Sequence, residues 1–208
     1  ARSMGIPIRK FICANNSNQT LHRAIATGQF VKRDLIQTVS SAIDIVVPYN
    51  FWRFLYFVTG RVPERMVQWM TEFETSGRIR LDKPTQQRIS AGFDSCTISD
   101  SDTLSTIKQT WEAEGYLLDP HGAVAVAGAL SREPPSGRPV KTICLATAHP
   151  AKFPRIIGMA LGKDGSSELP DQAVHDSLVA ARDRVERVHR CDIEQLENEL
   201  ISAIKACV

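Results

Sequence analysis

The sequence predicts an α/β fold: a parallel sheet with flanking helices. Two stretches carry that prediction. Thr142–Leu145 is a short apolar run rich in β-formers that breaks abruptly into Thr147, His149, Pro150 and Lys152. A run of this kind suits a strand buried on both faces of a parallel sheet. Pro150 favours a break in the strand and an early helix position. Arg9–Ala14 repeats the layout, with an apolar run, the polar turn Asn15–Asn18, then Leu21, Ala24 and Ile25 at helical spacing and Gly28 closing the segment. Two strand–turn–helix units argue for an α/β domain. Polar residues just past the carboxyl end of such a strand lie where open α/β sheets bind ligands. Thr147 and His149 are therefore the first candidate site residues, at the rim of a crevice.

Composition narrows the class. The 208 residues are enough for one large domain or two small ones and for a sizeable core. An apolar content of 43% and a charged content of 23% are ordinary for a globular protein. A net charge of +2 gives no reason to expect a nucleic-acid or membrane surface, and no apolar run is long enough to span a bilayer. Cys13, Cys96, Cys144, Cys191 and Cys207 form no metal-ligand spacing, so no metal is expected. Cys13 and Cys144 sit inside apolar runs and read as buried small hydrophobes. A reducing, cytoplasmic location is the expectation.

The remaining elements follow in order. Arg2–Gly5 reads as the end of a helix stopped by Gly5. Pro48 suits a turn and Asn50 a helix N-cap, with Phe51, Phe54, Leu55 and Val58 as the core face. Pro63–Ser76 is an amphipathic helix whose Met66, Trp69, Met70 and Phe73 are packing residues, stopped by Gly77. Residues 78–92 are polar and are a possible hinge. Leu104, Ile107 and Trp111 mark a helix capped near Asp100 or Ser101 and ended by Gly115. Asp119 is a plausible N-cap and Pro120 a fitting first helical residue, and the small apolar residues that follow predict a buried helix. Ser131–Gly137 is a loop, a helix starts near Ala151, and Leu169–Val188 is helical and charged. Asp192 and Gln195 stand at capping-box spacing before a stripe of Ile193, Leu196, Leu200, Ala203 and Ile204, expected to dock on the core.

Four blocks fall in one order: Asn16 and Asn18; Ser40-Ser41-Ala42-Ile43-Asp44-Ile45 with Pro48-Tyr49-Asn50-Phe51-Trp52-Arg53; Asp119-Pro120-His121-Gly122-Ala123-Val124; and Thr147-Ala148-His149-Pro150-Ala151-Lys152-Phe153-Pro154. Together they resemble the threonine synthase and threonine synthase-like family, and Val47-Pro48-Tyr49-Asn50 is similar to the version carried by the threonine synthase-like 2 branch. There are two departures from the family pattern. Gln19 replaces an acidic residue after Asn18, and Gly122 stands where a Thr is usual.

The resemblance implies part of a tryptophan-synthase-β-type (fold type II) pyridoxal-phosphate enzyme that acts on an O-phosphorylated amino acid, of the phosphohomoserine or phospho-hydroxythreonine type, with release of phosphate. It implies that the Thr147 hydroxyl meets the pyridine nitrogen of the cofactor; the bland reading is a helix cap. By resemblance or by position, Asn16, Asn18, Ser40, Asn50, Arg53, His121, His149 and Lys152 are substrate-site candidates. For Asn16 and Asn18 turn chemistry is the competing reading, for Arg53 a solvated surface position, and for His121 a satisfied structural histidine. The family's Schiff-base lysine lies in an upstream A-F-K-D motif that does not occur here, nor does its Gly-rich phosphate loop. Lys152 is not taken as that lysine. The expectation is a C-terminal part with no catalytic residue of its own, partnered by a missing N-terminal part of the same protein. The alternative is a truncated, inactive chain acting as a binding or signalling protein.

Overall fold

The structure, a computed structural model, describes residues 2–132, 141–163, 169–182, 184–185 and 192–206. Its centre is a parallel pair, β1 (Phe11–Asn15) beside β4 (Phe93–Thr97), in register from Phe11↔Phe93 to Asn15↔Thr97. Helices cover both faces. On one side lies α1 (Thr20–Thr27), closed by Gly28 at φ 72° with its N–H on the Ala24 carbonyl. On the other lies α6 (Pro120–Leu130). The strand period of two sends Cys13 and Ser95 toward α1, where the His22 ring meets Ser95 Oγ at 2.9 Å, and Ala14 and Cys96 toward α6. Burial, and then the neighbouring Cys96, push the Cys13 thiol up to about 11.

A first core is built on the α1 side. The two-stranded antiparallel sheet β2 (Gln29–Val31) and β3 (Arg78–Arg80) packs with α2 (Asn50–Val58), α3 (Pro63–Ser76) and α4 (Lys83–Gly92). Pro63 opens α3, and Gly77 at φ 68° closes it. The Asp82 side chain caps α4 by accepting the Thr85 N–H. Phe30, fully buried, is the hub, with ring centroids 5.1 Å from Phe51, 5.3 Å from Trp52 and 4.8 Å from Phe73. Offset and edge contacts of this kind add to the area each ring removes from water.

A second core joins α5 (Asp100–Glu114), α6 and α7 (Pro154–Ala160) through Ile107, Leu118, Ala123, Ile156 and Ile157. Arg132, just past α6, holds Asp94 through Nη1 at 2.5 Å and reaches the Ser95 carbonyl through Nη2. Burial pushes the Asp94 carboxyl up, but the Ser95 N–H and the Arg132 guanidinium outweigh it and hold the group below the usual carboxylate range. Residues 176–208 form a separate compact unit. It contains α8 (Asp176–Arg182), a single turn Ile193–Gln195 and α9 (Leu196–Ala206), whose Leu196, Leu200 and Ile204 are exposed. No helix among the described residues is long and apolar enough to cross a membrane.

Several expectations are corrected. Thr142–Leu145 is not a buried strand: it has no regular secondary structure and no strand partner among the described residues, and Ile143 and Leu145 are 87% and 73% exposed. A β-forming run becomes a strand only where a neighbour takes its N–H and C=O groups. Cys144 is accordingly exposed. Residues 78–92, polar in sequence, hold β3 and α4, with Ile79, Leu81 and Ile89 buried beneath a polar surface. Arg2–Met4 is one 3-10 turn, closed by Gly5 at φ 86° with its N–H on the Arg2 carbonyl. Leu169–Val188 keeps only a turn, Asp171–Ala173, and α8; its residue 183 and its end from residue 186 lie outside the described residues, as do most of Ser131–Gly137 and Cys191 and Cys207. Asp192 makes no side-chain cap bond.

The approach of α6 to the sheet depends on Gly128. A Cβ there would stand 2.8 Å from Ala14 Cβ and 2.9 Å from Cys96 Sγ. Gly128→Ala is expected to lower stability to urea by about 1–3 kcal/mol, the cost of overpacking a filled contact; an unchanged unfolding midpoint would contradict this packing.

Candidate functional site

The site lies where β1 ends. Asn15 turns its amide back onto the Cys13 and Cys96 carbonyls, at 2.8 and 3.2 Å. The two following asparagines face a returning segment, residues 36–44. Asn18 treats Ile36 as a strand neighbour would: its Oδ1 accepts the Ile36 N–H at 2.9 Å, and its Nδ2 donates to the Ile36 carbonyl at 2.7 Å. Asn16 is only 2% exposed. Its Oδ1 accepts the Asn18 N–H at 2.9 Å, and its Nδ2 lies 2.8 Å from Thr38 Oγ1, 3.1 Å from Ser40 Oγ and 2.7 Å from Asp44 Oδ1.

Asp44 is the acceptor on which these donors converge. Its Oδ1 takes the Thr38 hydroxyl at 2.6 Å and Asn18 Nδ2 at 3.1 Å, and its Oδ2 takes the Thr38 N–H at 3.0 Å. No cation pairs with Asp44 among the described residues, and the protein groups that meet the carboxylate are amide and hydroxyl donors.

The same segment is tied to two helix starts. The Val39 N–H donates to Asp100 Oδ1 at 3.2 Å, at the start of α5. The Ala42 N–H donates to His121 Nε2 at 3.0 Å. Nε2 is therefore the acceptor nitrogen, and Nδ1–H donates to Asp119 Oδ1 at 2.8 Å. Asp119 also caps α6 by accepting the His121 and Gly122 N–H groups at 2.9 and 3.2 Å. The His121 ring rests against Phe153, centroids 4.8 Å apart, which brings the Thr147–Pro154 turn into the cluster. Within that turn, His149 Nδ1 accepts the Ala151 N–H at 3.2 Å, and the His149 and His175 rings lie 5.1 Å apart.

Of the residues singled out from sequence, Asn16, Asn18, Ser40 and His121 are joined in one buried network, and their polar groups are engaged within it. Thr147 lies in the same exposed segment as Thr142–Leu145, and its hydroxyl has no partner among the described residues. Lys152 is exposed on the single turn Pro150–Lys152. Asn50 and Arg53 form a separate exposed pair on the first turn of α2, with Arg53 Nη2 donating to Asn50 Oδ1 at 2.5 Å. Sequence reasoning missed the part played by Asp44, Thr38 and Asp119 as network members. For Asp44 a signal existed, since it is a lone carboxylate between Ile43 and Ile45.

Comparison with known proteins gives the chain relatives of one family. Residues 122–200 match the family model described as threonine synthase, C-terminal. The chain is 34% identical over 200 residues to threonine synthase of Pseudomonas aeruginosa, covering 96% of the chain and 40% of that protein. It is 32% identical over 205 residues to threonine synthase-like 2 of Xenopus laevis, covering 97% and 43%. Among solved structures, the pyridoxal-phosphate-bound threonine synthase of Brucella melitensis superposes with a TM-score of 0.74 at 32% identity, over 83% of the chain and 37% of that structure. Yeast threonine synthase gives 0.82 at 27% identity, over 99% and 44%. In sequence and fold, the chain belongs with the C-terminal part of the threonine synthase and threonine synthase-like family. It spans roughly two fifths of the length of these relatives.

Asp44→Asn places an amide N–H₂ among donors and leaves at least one of them unpaired. The expected result is a loss of about 3 kcal/mol in urea unfolding, the scale of hydrogen bonds to a charged acceptor. Loss under about 0.5 kcal/mol would show that the network does not organise the segment.

Proposed function

We propose that the chain is the C-terminal part of a pyridoxal-phosphate-dependent enzyme that releases phosphate from an O-phosphorylated amino acid, of the phosphohomoserine or phospho-hydroxythreonine type. The observation that carries the reading is the convergence of three separated motif blocks on one cluster: Asn16 and Asn18, the Ser40–Asp44 segment, and Asp119–His121, with Phe153 of a fourth block packed on His121. The bound cofactor supplies the electron sink that eases proton loss from the α-carbon of an amino acid.

This chain's residues take supporting roles in that reading. Thr147 offers a hydroxyl, unpartnered among the described residues, that can hydrogen-bond a pyridine nitrogen but is too weak an acid to keep it protonated, which suits elimination of a phosphate leaving group. The fit is to the donor the cofactor ring needs, on an accessible segment. Asn16, Asn18, Ser40 and His121 hold the segment 36–44 in place rather than offering free groups. Arg53 presents an exposed guanidinium, oriented by Asn50, whose fork matches a phosphate. His149 and Lys152 are exposed beside the Thr147 turn and can meet substrate anions. The lysine that carries pyridoxal lies outside this sequence.

Incubation of the chain with pyridoxal phosphate, borohydride reduction and peptide mapping is expected to label no lysine stoichiometrically. Stoichiometric labelling of Lys152, or of any other single lysine, would overturn the assignment. In the complete protein, Thr147→Val is expected to slow phosphate release from phosphohomoserine by 10-fold or more, on the order of a lost site hydrogen bond, whereas an unchanged rate would remove Thr147 from the site.

A further inference from the structure

The first core leaves a cavity of about 330 Å³ open at its edge. Buried Trp52 and Phe73 give its inner wall, and exposed Tyr49 and Met70 its rim. Two opposite charges line the same mouth, Lys32 and Glu74. The backbone holds them close: the Lys32 N–H donates to the Gly77 carbonyl at 2.8 Å, just past α3, and Glu74 sits on the last turn of that helix. Yet the two side chains form no ion pair with each other, and neither has a partner among the described residues. None of the lining residues belongs to the network at the end of β1.

An aromatic wall with one cation and one anion at its mouth selects a particular chemistry. A purely apolar ligand would strip water from both charges without replacing it. A phosphate dianion would meet a single lysine and be repelled by Glu74. A zwitterion satisfies both groups at once, and its side chain can lie on Trp52 and Phe73, with Met70 adapting to its shape. The volume is at the small end of ligand pockets, enough for one amino acid. We propose that this cavity binds a free α-amino acid with an apolar or aromatic side chain, its carboxylate on Lys32 and its ammonium on Glu74. The proposal stands independently of the cofactor reading above.

Equilibrium dialysis of the chain against radiolabelled L-phenylalanine, without pyridoxal phosphate, is the test. Saturable binding at one site is expected. Lys32→Met and Glu74→Gln change exposed side chains, so both variants should keep the parent circular dichroism while each weakens binding at least tenfold. 3-Phenylpropionate, which lacks the ammonium, should respond to Lys32→Met but not to Glu74→Gln, and phenethylamine the reverse. No saturable binding, equal affinity in parent and both variants, or tighter binding of O-phosphoserine than of L-phenylalanine would each overturn the proposal.

Discussion

The arrangement of this chain depends on one half-buried carboxylate. Asp44 has no cation beside it among the described residues, and N–H and O–H donors offset the cost of partly desolvating its charge. Those donors come from two places in the chain. Asn16 and Asn18 follow the end of β1, and Thr38 belongs to the returning segment itself. Satisfying the carboxylate therefore fixes an irregular stretch against the end of a strand, although the stretch has no ladder of its own. Asn18 does part of the same work by presenting its amide to both backbone groups of Ile36.

That constraint meets a second one, set by close packing. Two parallel strands do not make a stable sheet alone, and helices must cover them. On the α6 side the cover is unusually close, because Gly128 has no Cβ to hold the helix off Ala14 and Cys96. His121 lies seven residues earlier on the same helix, about 10 Å along its axis and on nearly the same face. A helix seated on the strand at Gly128 thus delivers His121 to the strand's carboxyl end. There it accepts the Ala42 N–H of the segment that Asp44 holds. Local contacts at Gly128 and polar convergence at Asp44 specify the same geometry.

Much of this was legible in the residues. Asn15–Asn18 after an apolar run, Asp119-Pro120 before small residues, and Gly28, Gly77 and Gly115 as stops all carry local chemistry, and each stands where expected. What the sequence hid were matters of partnership. Thr142–Leu145 has the composition of a buried strand, but composition does not supply a neighbour. Residues 78–92 look polar because three buried apolar side chains, Ile79, Leu81 and Ile89, are outnumbered by polar ones. In the candidate site, the residue types at the end of β1 were readable. Their being occupied by one another was not, since hydrogen-bond partners 22 to 28 positions apart leave no local pattern.

Gly122 shows how a departure from the family pattern can be understood from geometry. A Cβ at this position would stand 2.9 Å from Asp119 Oδ2, the oxygen that accepts the Gly122 N–H at 3.2 Å. With glycine, Asp119 can serve three donors at once: two backbone N–H groups of α6 and Nδ1–H of His121. A threonine would force that carboxylate to turn, and the oxygen facing His121 would turn with it. The orientation of His121, and through Nε2 the hold on Ala42, is thus coupled to the size of residue 122. The absent hydroxyl is one consequence of the glycine. A carboxylate free to sit squarely on the helix start is the other, and it bears directly on the segment that Asp44 secures.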